Sequence, residues 1–265
     1  MDLFKNHLKG LKLMKIAIIT GASSGLGAEY VFAVDKTRND IDEIWLIARR
    51  KNKLKEIAEK LSKPSKVIPL DITAEEDLIK YSQILEETKA DVKLLINNAG
   101  FGKIGNIDEI SPEDNGGMVR LNCEALTVFT SLTLPYMKEK SEIINTCSIA
   151  SFVPNSRMAV YSSTKAYVMS FSRAIRKELK LRKINCLAVC PGPMDTEFLG
   201  VAGIEKGVSH TFDTLPRVNP TKVAVKSLKA SAKGESVYTN LFFYKFYRLL
   251  AKLLPHNFMM KLAGV

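Results

Sequence analysis

Six apolar runs of strand length, most of them followed by a stretch with helical spacing, set the strongest limit on what this chain can become. KIAIIT (15–20) precedes an amphipathic stretch from Gly25 to about Lys36, and EIWLIA (43–48) precedes another over 52–62. KVIPL (66–70) leads into 74–89, and KLLIN (93–97) leads through a loop into a long helical stretch ending near Lys140. EIINTC (142–147) is followed by a helix that starts near Arg157 and runs to about Arg182, then by INCLAVC (184–190) and a short strand near 236–240. Strands that are apolar throughout, rather than on alternate residues, are buried on both faces. The pattern therefore predicts an α/β fold with a doubly wound parallel sheet, whose ligands bind beyond the carboxyl ends of the strands. With 265 residues, 46% of them hydrophobic, and no linker, repeat or low-complexity tract, the whole chain 1–265 reads as one domain.

Composition narrows the function classes. The formal charge is +11, but the cations in KNKLKEIAEKLSK and RAIRKELKLRK interleave with acids, as on solvated helix faces. No nucleic-acid partner is expected, although the overall field favours anionic ligands. Four cysteines without C-x-x-C spacing and three scattered histidines argue against a metal site, and free thiols suit a reducing compartment. No apolar run approaches the ~20 residues of a membrane span, and the N-terminus lacks a signal-peptide core. The expected location is cytoplasmic. Residues 1–13 carry no motif and read as a short N-terminal extension, and MKIAIITGASSGLG makes Met14 an alternative start.

TGASSGLG (20–27) joins the first strand to the first helix. The glycines let the backbone turn tightly and approach a pyrophosphate, whose charge the helix N-terminus stabilises. The turn residues Gly21, Ser23, Ser24, Gly25, Leu26 and Gly27 are thus candidates for holding a dinucleotide. At the end of the second strand, an acid would bind the ribose 2′-hydroxyl. This chain has Ala48-Arg49-Arg50-Lys51 instead. Arg49 suits a 2′-phosphate through paired charge-assisted hydrogen bonds, so the expected cofactor is NADP(H).

The stretch TCSIASFVPNSRMAVYSSTK supplies Ser148, Tyr161 and Lys165. A helix places Tyr161 and Lys165 one turn apart on one face. Tyrosine is a poor acid or base near neutrality, with an ordinary pKa of about 10. An ammonium at roughly 4 Å, with an effective dielectric near 20, favours the phenolate by about 4 kcal/mol. Tyr136/Lys140 and Tyr244/Arg248 show the same spacing; Cys123 stands thirteen residues before Tyr136, whereas Ser148 stands thirteen before Tyr161.

In order and spacing the chain resembles the short-chain dehydrogenase/reductase family over about residues 14–200. The resemblance rests on TGASSGLG, Asp71 after the third strand, NNAG (97–100), Asn122, Ser148, YSSTK (161–165) and PGPMDT (191–196). It implies a Rossmann fold and a catalytic set of Asn122, Ser148, Tyr161 and Lys165. It also implies that Asp71 and Ile72 sit by the adenine, and that Asn98, Ala99 and Gly100 line the ribose. Lys165 would bind nicotinamide ribose hydroxyls and lower the Tyr161 pKa, while Pro191, Gly192 and Thr196 border the nicotinamide. Asn122 matches a position that holds a water linking the lysine to solvent. A homodimer or homotetramer packed through the long helices around Asn122 and Tyr161 is the implied assembly. One departure is Gly116-Gly117, which should delay or kink the start of the long helix.

Residues 193–219 suit a substrate loop, and 201–219 look like a lid. Beyond it, LFFYKFYRLLAKLLPHNFMMKLAG (241–264) is dense in aromatics, Leu and Met, with cations between and Pro255 splitting it into two helices. It admits three readings: a core or dimer helix, the wall of an apolar substrate pocket, or an interfacial helix touching lipid. The expected substrate is a bulky hydrophobic carbonyl or its alcohol, steroid-like or long-chain, making the chain a carbonyl reductase or hydroxysteroid dehydrogenase. The alternatives are a non-catalytic NADPH-binding sensor and a reductase of small polar carbonyls.

Overall fold

The computed structural model describes residues 13–89, 91–203 and 214–262. Most of the N-terminal extension, the centre of the expected lid (204–213) and the last three residues lie outside them. Seven strands form one parallel sheet in the order β3-β2-β1-β4-β5-β6-β7: β1 Lys15–Thr20, β2 Glu43–Ala48, β3 Ser65–Pro69, β4 Asp91–Asn97, β5 Glu142–Thr146, β6 Asn185–Val189 and β7 Val237–Tyr238. The strand order reverses between β1 and β4, where a crevice opens beyond their carboxyl ends.

The continuous apolar strands are explained by two cores. Ala17 and Ile19 of β1 join Ile44, Leu46, Tyr30 and Val34 on one side, whereas Ile16 and Ile18 join Trp45, Tyr81, Leu95 and Phe129 on the other. Successive side chains point to opposite faces, so every β1 residue from Ile16 to Ile19 is fully buried. A polar chain crosses the sheet as well. Asn97 donates to Asn145 Oδ1 (2.8 Å) and to Thr130 Oγ1 (2.9 Å), and Asn145 donates to Ser172 Oγ (2.9 Å).

The helices follow as α1 Gly25–Thr37, α2 Lys51–Ala58, α3 Glu75–Thr88, α4 Pro112–Val119, α5 Leu126–Thr133, α6 Ala159–Glu178, α7 Glu197–Ala202, α8 Pro220–Ala232, α9 Phe242–Leu253 and α10 His256–Leu262. Helix α4 is not delayed by its glycines. It starts at Pro112, where the Ser111 hydroxyl accepts from the Asp114 N–H (3.1 Å), and it carries Gly116 and Gly117 inside. The irregularity comes just after them, as a π-helical segment, Arg120–Ala125, that runs into α5. Helix α6 begins at Ala159 rather than near Arg157, because Arg157 is left-handed (φ 55°). Helix α8, within a region the sequence left unassigned, has the Asn219 side chain accepting from Lys222 N–H (2.9 Å) and packs on α1 through a Tyr30–Ser227 hydroxyl pair (2.9 Å). Pro255 separates α9 from α10.

Candidate active site

At the crevice, the Thr20 hydroxyl ends β1 by accepting from the backbone N–H of Asn98 (3.0 Å) and Ala99 (3.1 Å). This clamps the chain leaving β4 against the glycine turn. Gly21 has φ 67°, and a Cβ there would lie 2.9 Å from Ala99 Cα, so the turn demands glycine. Helix α1 opens with no side-chain cap and no acid in its first turn, leaving backbone N–H groups and the positive dipole end for an anion. This bare, glycine-lined cradle fits a dinucleotide pyrophosphate.

Two arginines stand at the end of β2. Arg49 is 77% exposed, with Nη1 3.9 Å from Asp71 Oδ2. Arg50 turns inward. Its Nη2 donates to Ser24 Oγ (2.7 Å), Ser23 Oγ (3.1 Å) and Glu197 Oε2 (2.8 Å) at the start of α7. Only Arg49 was singled out from the sequence, and Arg50 is the one that touches the turn. Asp71 caps its own loop, accepting from the Thr73 N–H (2.9 Å) and hydroxyl (2.6 Å), and Ile72 is buried beside it.

Deeper in the cleft, β5 delivers Ser148 and α6 delivers Tyr161 and Lys165. Tyr161 is buried and packs 5.7 Å from the Phe198 ring of α7, with Ser148 lining the same cleft. Burial pushes its phenol up to about 12, against the lowering pull of Ser148. The expected lowering by Lys165 is not seen. That ammonium lies 5.7 Å from the Tyr161 ring centre and donates to the Thr146 carbonyl (2.9 Å), and burial lowers its own pKa. Desolvation of the phenol outweighs a charge held at that distance.

Asn122 lies in the π-helical segment, buried to 1%. Its amide accepts from Phe101 N–H (3.1 Å) and donates to Phe101 C=O (2.9 Å) and to Thr164 Oγ1 (3.0 Å). The π turn thus fastens the Asn98-Ala99-Gly100 loop to α6. A Cβ on Gly100 would come within 2.9 Å of Asn122 Oδ1 and 3.4 Å of Lys165 Nζ.

Across the cleft, Pro191 and Gly192 follow β6, and Thr196 precedes α7. Tyr244 of α9 packs on Gly192 and donates to the Pro216 carbonyl (2.7 Å). Phe243, Phe246, Tyr247 and Leu250 of α9, Met259 of α10 and Phe198 of α7 complete an apolar wall. The cleft encloses about 970 Å³ and holds both the glycine turn and the Ser148–Tyr161–Lys165 group.

The family model described as short chain dehydrogenase matches residues 15–205. An uncharacterized oxidoreductase of Staphylococcus aureus (strain MW2) is 30% identical over 185 residues, 69% of this chain and 79% of that protein. A short-chain dehydrogenase from Sphingobium yanoikuyae, solved with NADPH, superposes with a TM-score of 0.76 at 28% identity, covering 91% of this chain and 93% of that one. The bulky-bulky ketone specific alcohol dehydrogenase from Comamonas testosteroni gives 0.72 at 25% identity, covering 91% and 92%. Other solved chains of this fold carry NADH or NAD.

Proposed function

Because the chain belongs to the short-chain dehydrogenase family and is an oxidoreductase of that type, we propose that it interconverts a carbonyl and an alcohol using NADP(H), on a bulky apolar substrate. The observation carrying this reading is the meeting of Ser148, Tyr161 and Lys165 on one side of a cleft whose other side is aromatic. When bound, the nicotinamide supplies the hydride or takes it up.

The chain's residues handle the proton and the geometry. Tyr161 donates its proton to the substrate oxygen as that oxygen gains negative charge. A phenol held protonated by burial is in its acid form at neutral pH, which suits reduction; oxidation of the alcohol needs the phenolate and gains from alkali. Ser148, lining the cleft beside that phenol, orients the same oxygen. Lys165 spends one of its three donors on Thr146 and keeps the others for ribose hydroxyls. Asn122 fixes the loop beneath and lies on the proton path to solvent.

For the cofactor, the turn residues 21–27 hold the pyrophosphate, Asp71 and Ile72 flank the adenine, and Asn98, Ala99 and Gly100 follow the ribose. Pro191, Gly192 and Thr196 border the nicotinamide. Preference for the 2′-phosphate rests on Arg49, free to swing, and on Arg50, already drawn over Ser23 and Ser24. Free cysteines at 123, 147, 186 and 190 accord with a cytoplasmic setting. Exposed Val119 and Tyr167 on α4 and α6 mark the face expected to form a homodimer or homotetramer.

The test is cofactor consumption over a panel of steroid, long-chain and sugar carbonyls, with NADPH and NADH in parallel. The reading expects turnover with apolar ketones and NADPH. Turnover confined to small polar sugars would defeat its substrate half, and equal use of NADH its cofactor half.

A further inference from the structure

Helix α9 presents four faces at 100° per residue. Tyr244 and Ala251 point inward and are buried, while Phe243, Tyr247 and Leu250 face the cleft. Outward, Phe242 is 83% exposed, Phe246 49%, Leu249 50% and Leu253 71%. Beyond them, α10 adds Phe258, 51% exposed. On the remaining flank, Lys245, Arg248 and Lys252 meet Lys226, Lys229 and Lys233 from α8 and the turn after it, around a groove of about 600 Å³. Glu235 is the acidic residue lining that groove. No helix among the described residues is long and apolar enough to cross a membrane.

We propose that α9 and α10 dock the protein on a lipid surface bearing anionic headgroups, and that apolar substrates enter the cleft from that surface. A contiguous row of exposed aromatic and leucine side chains on a folded chain marks an interaction site. Charge selects the occupant. A second copy docking through the same face by a two-fold axis would bring a second set of six cations to one interface, with a single lining acid, Glu235, to offset each set, whereas an anionic bilayer neutralises them. A helix with an aromatic and leucine face beside a Lys/Arg strip is built to lie in the headgroup region. Phe243 and Phe246 are shared: each is about half exposed and each lines the cleft, so apolar surface runs unbroken from the outer face into the site. The entry half of the proposal rests on the carbonyl-reductase reading; the docking half does not.

The full-length protein is sedimented with vesicles of phosphatidylglycerol and phosphatidylcholine in equal parts, and with phosphatidylcholine alone. It is expected to sediment with the anionic vesicles only, and to be released at high salt, where screening shortens to a few Å. Lys245→Glu with Lys252→Glu should weaken binding roughly tenfold or more. Phe242→Ser with Leu253→Ser, neither lining the cleft, should also weaken it while leaving reduction of a small ketone in solution unchanged. Absence of wild-type binding to the anionic vesicles overturns docking, as does a dimer that the serine variant dissociates while vesicles are ignored. A long-chain methyl ketone dissolved in the vesicles should be reduced several-fold faster on anionic than on neutral ones; equal rates overturn the entry half. A protein that binds vesicles but reduces no carbonyl overturns the reductase reading and leaves docking standing.

Discussion

The crevice at β1 and β4 and the helical wall facing it are built under opposite constraints. Around the crevice, Ile16 to Ile19 are wholly buried, Gly21 and Gly100 have no room for a Cβ, and Asn122 bonds both sides of the Phe101 peptide. Along the wall, Phe242 and Leu253 face outward with most of their surface bare. One region tolerates few changes in shape; the other has a tight inner face and a permissive outer one. The difference matches the work proposed for each, since hydride and proton transfer need fixed distances, whereas an apolar ligand or bilayer needs greasy surface.

Stability should divide along that line. Asn145→Ala removes the acceptor of Asn97 and the donor to Ser172 in the buried chain across the sheet. It should lower stability by about 2 kcal/mol, and the melting temperature by roughly 5 °C. A thermal melt indistinguishable from wild type would show that the sheet region is less constrained than its contacts imply.

Cofactor choice comes next in size. Arg49→Asp, placed where no acid stands, should shift the ratio of kcat/KM for NADPH over NADH by about tenfold to a hundredfold toward NADH. Arg50→Ala should move it the same way by less, because its partners Ser24 and Glu197 share the guanidinium. An unchanged ratio in both variants would sever the arginines from the 2′-phosphate.

Alkali distinguishes the regions more gently. Burial raises the phenols of Tyr30, Tyr81 and Tyr161 above the ordinary value, Tyr161 to about 12. Above pH ~10 the unfolded chain releases these protons while the folded chain retains them, so stability falls with rising pH. Each such group contributes about 1.4 kcal/mol per pH unit until its folded pKa is reached, and nothing below pH ~9. Urea midpoints at pH 9 and 11 measure the difference, and equal midpoints would mean that these phenols titrate normally. The smallest effect belongs to the outer wall: Phe242→Ser with Leu253→Ser should change stability by no more than about 0.5 kcal/mol per site. A larger loss would mean that this face is covered in the folded protein.

The same contrast explains what the sequence revealed. Buried parallel strands carry their signal in consecutive residues, so KIAIIT and EIWLIA delimit β1 and β2 to the residue. The glycine turn is equally local. Helix α8 was missed although Asn219-Pro220 is an N-cap and first-turn pair, because its apolar spacing is diluted by three lysines and two serines. Arg50 escaped notice because Glu197 lies 147 residues away in a stretch read as loop. The Tyr161–Lys165 spacing was legible, but its electrostatics were not. Sequence spacing says nothing of the Thr146 carbonyl that holds the ammonium, or of the burial that raises the phenol.

The most direct test of the account is Tyr161→Phe, which removes one hydroxyl and leaves the ring against Phe198 and Gly102. NADPH binding is followed by its fluorescence and turnover by its oxidation with an apolar ketone. The account predicts binding within about twofold of wild type and turnover lower by 10² to 10⁴, the usual worth of a positioned proton donor. Turnover above about a tenth of wild type, with binding intact, would contradict it.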